Sequence, residues 1–181
     1  MKSTLSVLAL GLVALMVQGA LTHALPPPWC PDLGWLVVVG IGLRWPGLVS
    51  GFVLAGILGF AMDAISGSLL GQHALLRLAS YLVAAVAARQ LDLTGGIPVA
   101  LLVFATSVAY GFGVVVTRSV FLGPEPIGVP VLALAVAHAF VNMLCSGAVV
   151  GLVERIVQRF ADEELARRGG LLLGYSGRGR P

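Results

Sequence analysis

The chain has 181 residues, of which 58% are hydrophobic and 10% are charged, and its mean hydropathy is +0.99. Soluble domains carry about 25% charged residues, so this composition excludes an ordinary water-soluble protein and favours a bilayer protein with about six spans. The formal net charge is +3. Basic residues lie singly or in pairs at the ends of apolar runs, with a cluster only after residue 154, which excludes a nucleic-acid-binding surface.

The first apolar run covers residues 5–25 and stops at three consecutive prolines. A cleaved signal peptide from Met1 to Ala24, with Lys2 as its basic region, is the alternative, but the uncharged stretch is longer than such peptides use, so we predict a retained span. The second run, residues 32–43, is short. Its length alone favours a re-entrant segment, whereas the charge distribution favours a span.

Four further runs complete the predicted transmembrane helices. They cover residues 47–65, 69–88, 97–122 and 129–153. In residues 155–181, apolar side chains alternate with charges, which predicts a cytoplasmic amphipathic helix along the membrane interface followed by a basic, flexible tail. The sequence therefore predicts a six-helix transmembrane domain, residues 1–154, and a C-terminal segment.

Lysine and arginine separate onto one side of the membrane if all six runs cross it and the N-terminus is cytoplasmic. The outside then holds one basic residue, Arg118, and Arg77 lies within the membrane. The cytoplasmic side holds nine: Lys2, Arg44, Arg89, Arg155, Arg159, Arg167, Arg168, Arg178 and Arg180. This asymmetry predicts an all-α polytopic protein with six spans and both termini cytoplasmic. In that topology Asp32, Asp63 and Glu125 face outward.

Small residues recur every four positions along the third run and end at an aspartate. They are Gly47, Gly51, Ala55, Gly59 and Asp63. This spacing places them on one helical face, where a neighbouring backbone can approach closely. The face is consistent with packing inside one subunit and with docking of a partner helix. Asp63 can in addition cap backbone groups where the third helix ends and the fourth begins.

Polar side chains form stripes on the fourth and sixth runs. An intramembrane arginine costs about 2.5–3.5 kcal/mol on insertion scales, so Arg77 is expected to face protein or a wet cavity. Counting from the turn, Asp63 and Arg77 differ in depth by about 9 Å, which a bent arginine would bridge only partly, and His73 matches the depth of Asp63 better. The stripes predict an internal hydrogen-bond network or a polar pocket. The candidate residues are His73, Arg77, Tyr81, Ser107, Tyr110, His138 and Asn142.

Signatures of an enzyme are missing from the sequence. Intramembrane hydrolysis would need paired aspartates, a serine with a base, or a histidine and carboxylate metal set. Asp63 is the one carboxylate predicted within the membrane, and the histidines lack the i, i+4 spacing of a zinc-binding helix. We therefore expect no catalytic activity, no metal and no cofactor.

The segment "GFAMDAISGSLLGQHAL", from Gly59 to Leu75, resembles the hairpin between the third and fourth spans of MreD, a family of bacterial rod shape-determining membrane proteins. In that family a glycine-rich helix ends in an aspartate, a Ser-Gly turn follows, and a glycine and a small residue open the next helix. The corresponding positions here are Gly51, Gly59, Asp63, Ser66, Gly67, Gly71 and Ala74. Arg77 and the triple proline are not part of this pattern.

The resemblance implies a non-enzymatic scaffold in the bacterial inner membrane, within the elongasome that builds sidewall peptidoglycan. It implies binding to the single-span protein MreC, and a link between MreB filaments, the glycosyltransferase RodA and its transpeptidase partner. The implied fold is similar to the six-helix substrate-binding component of energy-coupling-factor vitamin transporters. A membrane carrier of a small molecule, with an anionic ligand near Arg77, is therefore the alternative function.

Overall fold

The computed structural model describes residues 2–67, 69–93, 96–123 and 128–176, and the side chains of those between residues 3 and 160. Six α-helices and no β-strand occur in these ranges, which confirms the all-α prediction. The predictions for Ser68, Glu125 and residues 177–181 lie outside them. The helices are α1 (Lys2–Ala24), α2 (Leu33–Arg44), α3 (Leu48–Ser66), α4 (Gln72–Gln90), α5 (Gly96–Leu122) and α6 (Val129–Ser176).

Within the part of the chain that the structure describes, four helical segments are long and apolar enough to cross a bilayer. They are Ser3–Ala24, Leu48–Ser66, Gly96–Leu122 and Val129–Phe160. α2 has only 12 residues, or about 18 Å of rise, which is less than the roughly 30 Å of hydrocarbon in a bilayer. α4 is less apolar because it contains Arg77 among other polar residues. α6 continues without a break past residue 153, where the sequence predicted the end of the last span.

The short helix α2 forms the centre of the bundle. All of its positions from Gly34 to Leu43 are buried, and it packs against α1, α3, α4 and α6. A helix that is apolar on every side is typical of such a central position. Asp32 caps its start, where Oδ1 accepts a hydrogen bond from the amide of Trp35 at 2.8 Å. The central helix therefore begins at a buried carboxylate.

α2 and α6 run parallel and in register. At one end the backbone amide of Asp32 donates to Oδ1 of Asn142 at 2.8 Å. At the other end Nε of Arg44 lies 3.5 Å from Oε2 of Glu154. The two pairs have the same separation in sequence, so the helices advance side by side along all of α2. Polar contacts hold both ends, and apolar packing fills the middle.

The α3–α4 hairpin is closed by a turn that needs glycine. Gly67 and Gly71 have positive φ values of 62° and 92°, a region that other residues rarely adopt. Below the turn the two backbones nearly touch, because a Cβ placed on Gly59 would lie 2.5 Å from the Cα of Ala74. This close approach brings the Asp63 side chain at the end of α3 within hydrogen-bonding distance of the backbone amides at the start of α4.

Candidate functional site

Arg77 is completely buried and joins three helices. Its Nη2 lies 2.9 Å from Oδ1 of Asp32, and its Nη1 donates to the carbonyl of Leu58 on α3 at 3.1 Å. Among the described residues, its ion-pair partner is therefore Asp32 and not Asp63. The ion pair explains how an arginine is accommodated in an apolar bundle, because a buried charge needs an opposite charge and hydrogen bonds.

Hydrogen bonds extend the ion pair into a network that includes all the remaining helices. Asn142 accepts from the Asp32 amide and donates through Nδ2 to the hydroxyl of Ser107 on α5 at 2.9 Å. From α1, Oε1 of Gln18 accepts from the amide of Gly34 at 3.1 Å. We call Gln18, Asp32, Arg77, Ser107 and Asn142 the polar layer. All five are buried, and together they connect all six helices.

A second buried carboxylate, Asp63, caps the start of α4. It accepts hydrogen bonds from the amides of Gly71 at 3.0 Å, His73 at 2.8 Å and Ala74 at 3.1 Å. The first residues of a helix have no intrahelical partner for these amides, and the glycine at the N-cap position has no side chain to supply one. The predicted cap at this turn is confirmed, and Asp63 acts across the turn from the end of α3, four residues before Gly67.

His73 and Tyr110 connect α4 to α5 just beyond the polar layer. Nδ1 of His73 lies 2.5 Å from the Tyr110 hydroxyl, and the two rings stack with centroids 6.0 Å apart. Tyr110 also packs on Trp35, with ring centroids 5.8 Å apart. Nε1 of Trp35 donates in turn to the hydroxyl of Ser80 at 3.0 Å. The aromatic contacts thus connect the start of α2 to the cap region of α4.

The face of small residues on α3 is filled by α4 of the same chain. Gly59 contacts Ala74, and a Cβ on Gly51 would meet the ring of Tyr81. Ala55 is completely buried between them. Gly47 precedes α3 as its N-cap, while Ser66 is the exposed last residue of that helix. The face is therefore used for packing within the chain.

Two of the predicted polar residues lie away from the layer. The Tyr81 hydroxyl donates to the carbonyl of Leu48 at 2.7 Å, at the opposite end of the hairpin from the turn. Nδ1 of His138 lies 3.3 Å from the carbonyl of Pro28, in the connection between α1 and α2. The i, i+4 spacing correctly places Tyr81 on one helical face with Arg77, and His138 on one face with Asn142. Each residue nevertheless contacts its own partner, so the residues of one stripe do not form a single site.

The α1–α2 connection covers the start of α2. Sγ of Cys30 lies 3.9 Å from the carbonyl of Gln18, and the neighbouring Pro31 is buried. Burial raises the pKa of the Cys30 thiol, and the negative charge of Asp32 raises it further. The thiol is therefore protonated at neutral pH and a poor nucleophile.

Asp32, Gln18, Trp35 and Ser80 are functional candidates that the sequence stripes did not include. The sequence predicted Asp32 on the outer side of the membrane and Asp63 as the one carboxylate within it, whereas the Asp32 side chain is buried against Arg77. The signal in the sequence that could have identified Asp32 was the short length of the second run. A 12-residue helix at the centre of longer ones begins well below their ends, so its N-cap lies at the depth of an intramembrane side chain.

The geometry suits a structural connection better than a binding pocket. Arg77 has no exposed surface and Asn142 is 1% exposed. The Arg77 guanidinium is closed off from solvent, and its Nε is buried without a hydrogen-bond partner among the described residues. Within the described residues, no group of three His, Cys, Asp or Glu side chains could hold a metal ion. The polar layer can therefore fix the relative positions of the six helices.

Comparison with known proteins adds no family assignment. No protein-family model matches the chain, and no curated protein or solved structure resembles it significantly. The similarity to MreD therefore rests on the hairpin residues from Gly59 to Leu75 and stays a prediction.

Proposed function

We propose that the chain is a membrane scaffold of the MreD type, located in the inner membrane of a bacterium. In this proposal it crosses the bilayer six times, has both termini in the cytoplasm, and performs no catalysis. It binds MreC and with it connects MreB filaments to RodA and its transpeptidase partner, which maintains cell shape. Its fold is then similar to the substrate-binding component of energy-coupling-factor transporters.

Contacts at one end of the bundle support the proposed topology. Arg44 at the end of α2 pairs with Glu154 of α6, and Arg44 and Arg89 line the same small cavity. α1 leads directly into the start of α2, so Lys2 lies at the other end of α1, toward the Arg44 side. Basic residues of three helices, α1, α2 and α4, therefore collect at one end of the bundle, as a cytoplasmic face requires.

The observation that carries the scaffold function is the closed polar layer. Its ion pair, amides and hydroxyl bind each other and leave one buried side-chain donor of the layer, Nε of Arg77, without a hydrogen bond among the described residues, so the interior offers rigidity rather than a vacant ligand site. A carrier needs a cavity that a substrate enters and leaves, usually with polar groups free to bind it. The buried network thus favours a protein that holds a fixed shape while other proteins assemble on it.

Packing also limits where a partner helix can dock. The face of Gly51, Ala55 and Gly59 is filled by α4, so it is not free for MreC. A docking partner would use the outer surfaces of the bundle, where many apolar side chains are exposed. Partner recognition by apolar and small side chains is usual between membrane helices, because lipid itself provides no hydrophobic drive for association.

The proposal is tested by depletion in a rod-shaped bacterial host that encodes the chain, combined with affinity capture. Depleted cells should become round, and expression of the wild-type chain should restore rods. A tagged chain, captured from native membranes in mild detergent, should retain a single-span protein that mass spectrometry identifies.

A matched pair of variants separates the scaffold from a general loss of membrane integrity. Gly59→Leu, which disrupts the hairpin, should fail to restore rods, whereas Gly56→Leu on the same helix should restore them. Depleted cells that stay rod-shaped would contradict the scaffold. Capture of energy-coupling subunits in place of a single-span protein would support the carrier.

A further inference from the structure

A cavity of about 400 Å³ lies between the end of α2, the start of α5 and the middle of α6. Arg44 and Glu154 form its polar rim, and Gly96 marks the start of α5 beside them. Gly147 and Gly151 form its wall on α6. The site is separate from the polar layer, which lies at the other end of α2.

The rim presents both signs of charge. Nε of Arg44 lies 3.5 Å from Glu154 but makes no hydrogen bond to any described residue, although this atom is buried. Glu154 accepts one hydrogen bond, from Nε2 of Gln158 at 3.2 Å. The Arg44 and Glu154 side chains are 30% and 37% exposed, so both can be reached. The exposed parts of the two side chains place a guanidinium and a carboxylate side by side, which matches a ligand that carries an anion and a cation together.

The start of α5 adds positive potential to the part of the site that would bind an anion. Gly96 is the first residue of a 27-residue helix, and the N-terminal end of a helix carries a partial positive charge. Phosphate groups bind at such ends through the first backbone amides, which here are those of Gly96 and Ile97 because Pro98 has no N–H. Arg44 and the α5 terminus therefore converge on the same rim, and Glu154 provides the place for a cation next to them.

The walls of the cavity indicate that the ligand is a lipid. Leu93, Val99 and Val150 line it with apolar surface. No atom lies within 4 Å of where a Cβ would stand on Gly147 or Gly151, so the α6 wall is flat and open. From Glu154 to Gly147 this wall extends about 10 Å along the helix, within the apolar segment Val129–Phe160. A slot that is charged at its rim and apolar along its length fits a headgroup followed by an acyl chain.

We propose that this cavity binds a zwitterionic phospholipid whose headgroup joins a phosphodiester to a primary ammonium, as in phosphatidylethanolamine. The phosphate pairs with Arg44 and the α5 terminus, and the ammonium donates hydrogen bonds to Glu154. An anionic headgroup without an amine would leave Glu154 beside a negative charge. A quaternary ammonium has no N–H to donate. The site therefore discriminates between headgroups, which general lipid contact does not.

The test uses the purified full chain in detergent micelles, with bound lipid measured by native mass spectrometry and by thermal-shift titration. The added probes are phosphatidylethanolamine, phosphatidylcholine, phosphatidylglycerol and inorganic phosphate. Phosphatidylethanolamine should bind about tenfold more tightly than the other two lipids, because one charge-assisted hydrogen bond is lost with each of them. Inorganic phosphate alone should not stabilise the chain.

Three variants locate the binding. Arg44→Gln should weaken phosphatidylethanolamine binding about tenfold. Glu154→Gln should weaken it similarly and remove the preference over phosphatidylglycerol, a change in selectivity that mere loss of stability does not produce. The control is Arg155→Gln, which alters an exposed neighbour on α6 outside the cavity and should change nothing.

Gly151→Leu is a second test of lipid binding in the cavity, and it leaves every charge in place. Its side chain would fill the slot, and leucine favours a helix more than glycine does, so the chain should fold while losing the bound lipid. Equal binding of all three lipids, stabilisation by phosphate alone, or an Arg155→Gln effect as large as that of Arg44→Gln would overturn the proposal. These outcomes are independent of the scaffold function, because they are measured on the isolated chain.

Discussion

Two buried aspartates, Asp32 and Asp63, have their negative charges compensated in different ways. Asp63 is 1% exposed and its charge is balanced by backbone amides at the start of one helix. Asp32 is balanced by the full charge of Arg77, and its contacts extend to several helices. One carboxylate therefore completes a local hairpin, whereas the other determines how the whole bundle is assembled.

The two arrangements should respond differently when they are disturbed. A charge balanced by another charge in a dry interior is costly to leave alone, because the remaining ion loses its opposite charge. A carboxylate balanced by amide dipoles can be removed at the cost of a helix cap, since the freed amides lie at a helix end near the turn. Removing Arg77 should thus destabilise the whole bundle, whereas removing Asp63 should loosen the start of α4.

The largest expected effect is that of Arg77→Met. Methionine fills much of the same volume, but it leaves the Asp32 carboxylate buried without its cation, which costs about 3–5 kcal/mol in the free energy of unfolding. Reversible unfolding in mixed micelles, followed by circular dichroism, measures the change.

The double variant Arg77→Met with Asp32→Asn is the control for that prediction. Asparagine keeps an oxygen for the Trp35 amide, so the cap of α2 survives while the unpaired charge disappears. The double variant should be more stable than Arg77→Met alone. If both were equally destabilised, the charge of Asp32 would not be the cause.

Gly59→Leu should produce an intermediate effect that is confined to the α3–α4 interface. The new Cβ would lie 2.5 Å from the Cα of Ala74, so the two backbones must separate, at a cost of about 1–3 kcal/mol. Gly56→Leu is the matched control, because its Cβ would lie 3.6 Å from a flexible leucine methyl on α4. Thermal unfolding of both variants should show a lower Tm for Gly59→Leu, and equal values would show that the close approach is not required.

The hairpin could be predicted from the sequence because its determinants are local. Small residues at intervals of four define the face on α3, and two glycines define the turn. The capping role of Asp63 also follows from its position at the end of α3, next to the amides that need a partner.

The polar layer could be predicted only in part, because it depends on the relative depth of separate helices. The stripes identified Arg77, Ser107 and Asn142 as inward-facing polar residues, and the structure brings these three together. Helical periodicity gives a face but no partner. The partner of Arg77 follows from how deep the short helix α2 sits, which is decided by its packing between four neighbours.

The smallest expected effect is that of Asp63→Ala, and its location is more informative than its size. Loss of a helix cap costs about 0.5–2 kcal/mol, less than an unpaired buried charge. Hydrogen exchange should accelerate at the amides of Gly71, His73 and Ala74, while the amide of Trp35 keeps its protection because Asp32 still accepts from it. Arg77→Met should accelerate exchange at both places. If Asp63→Ala exposed the Trp35 amide as well, the hairpin and the polar layer would form one cooperative unit, and the two aspartates would not have separate roles.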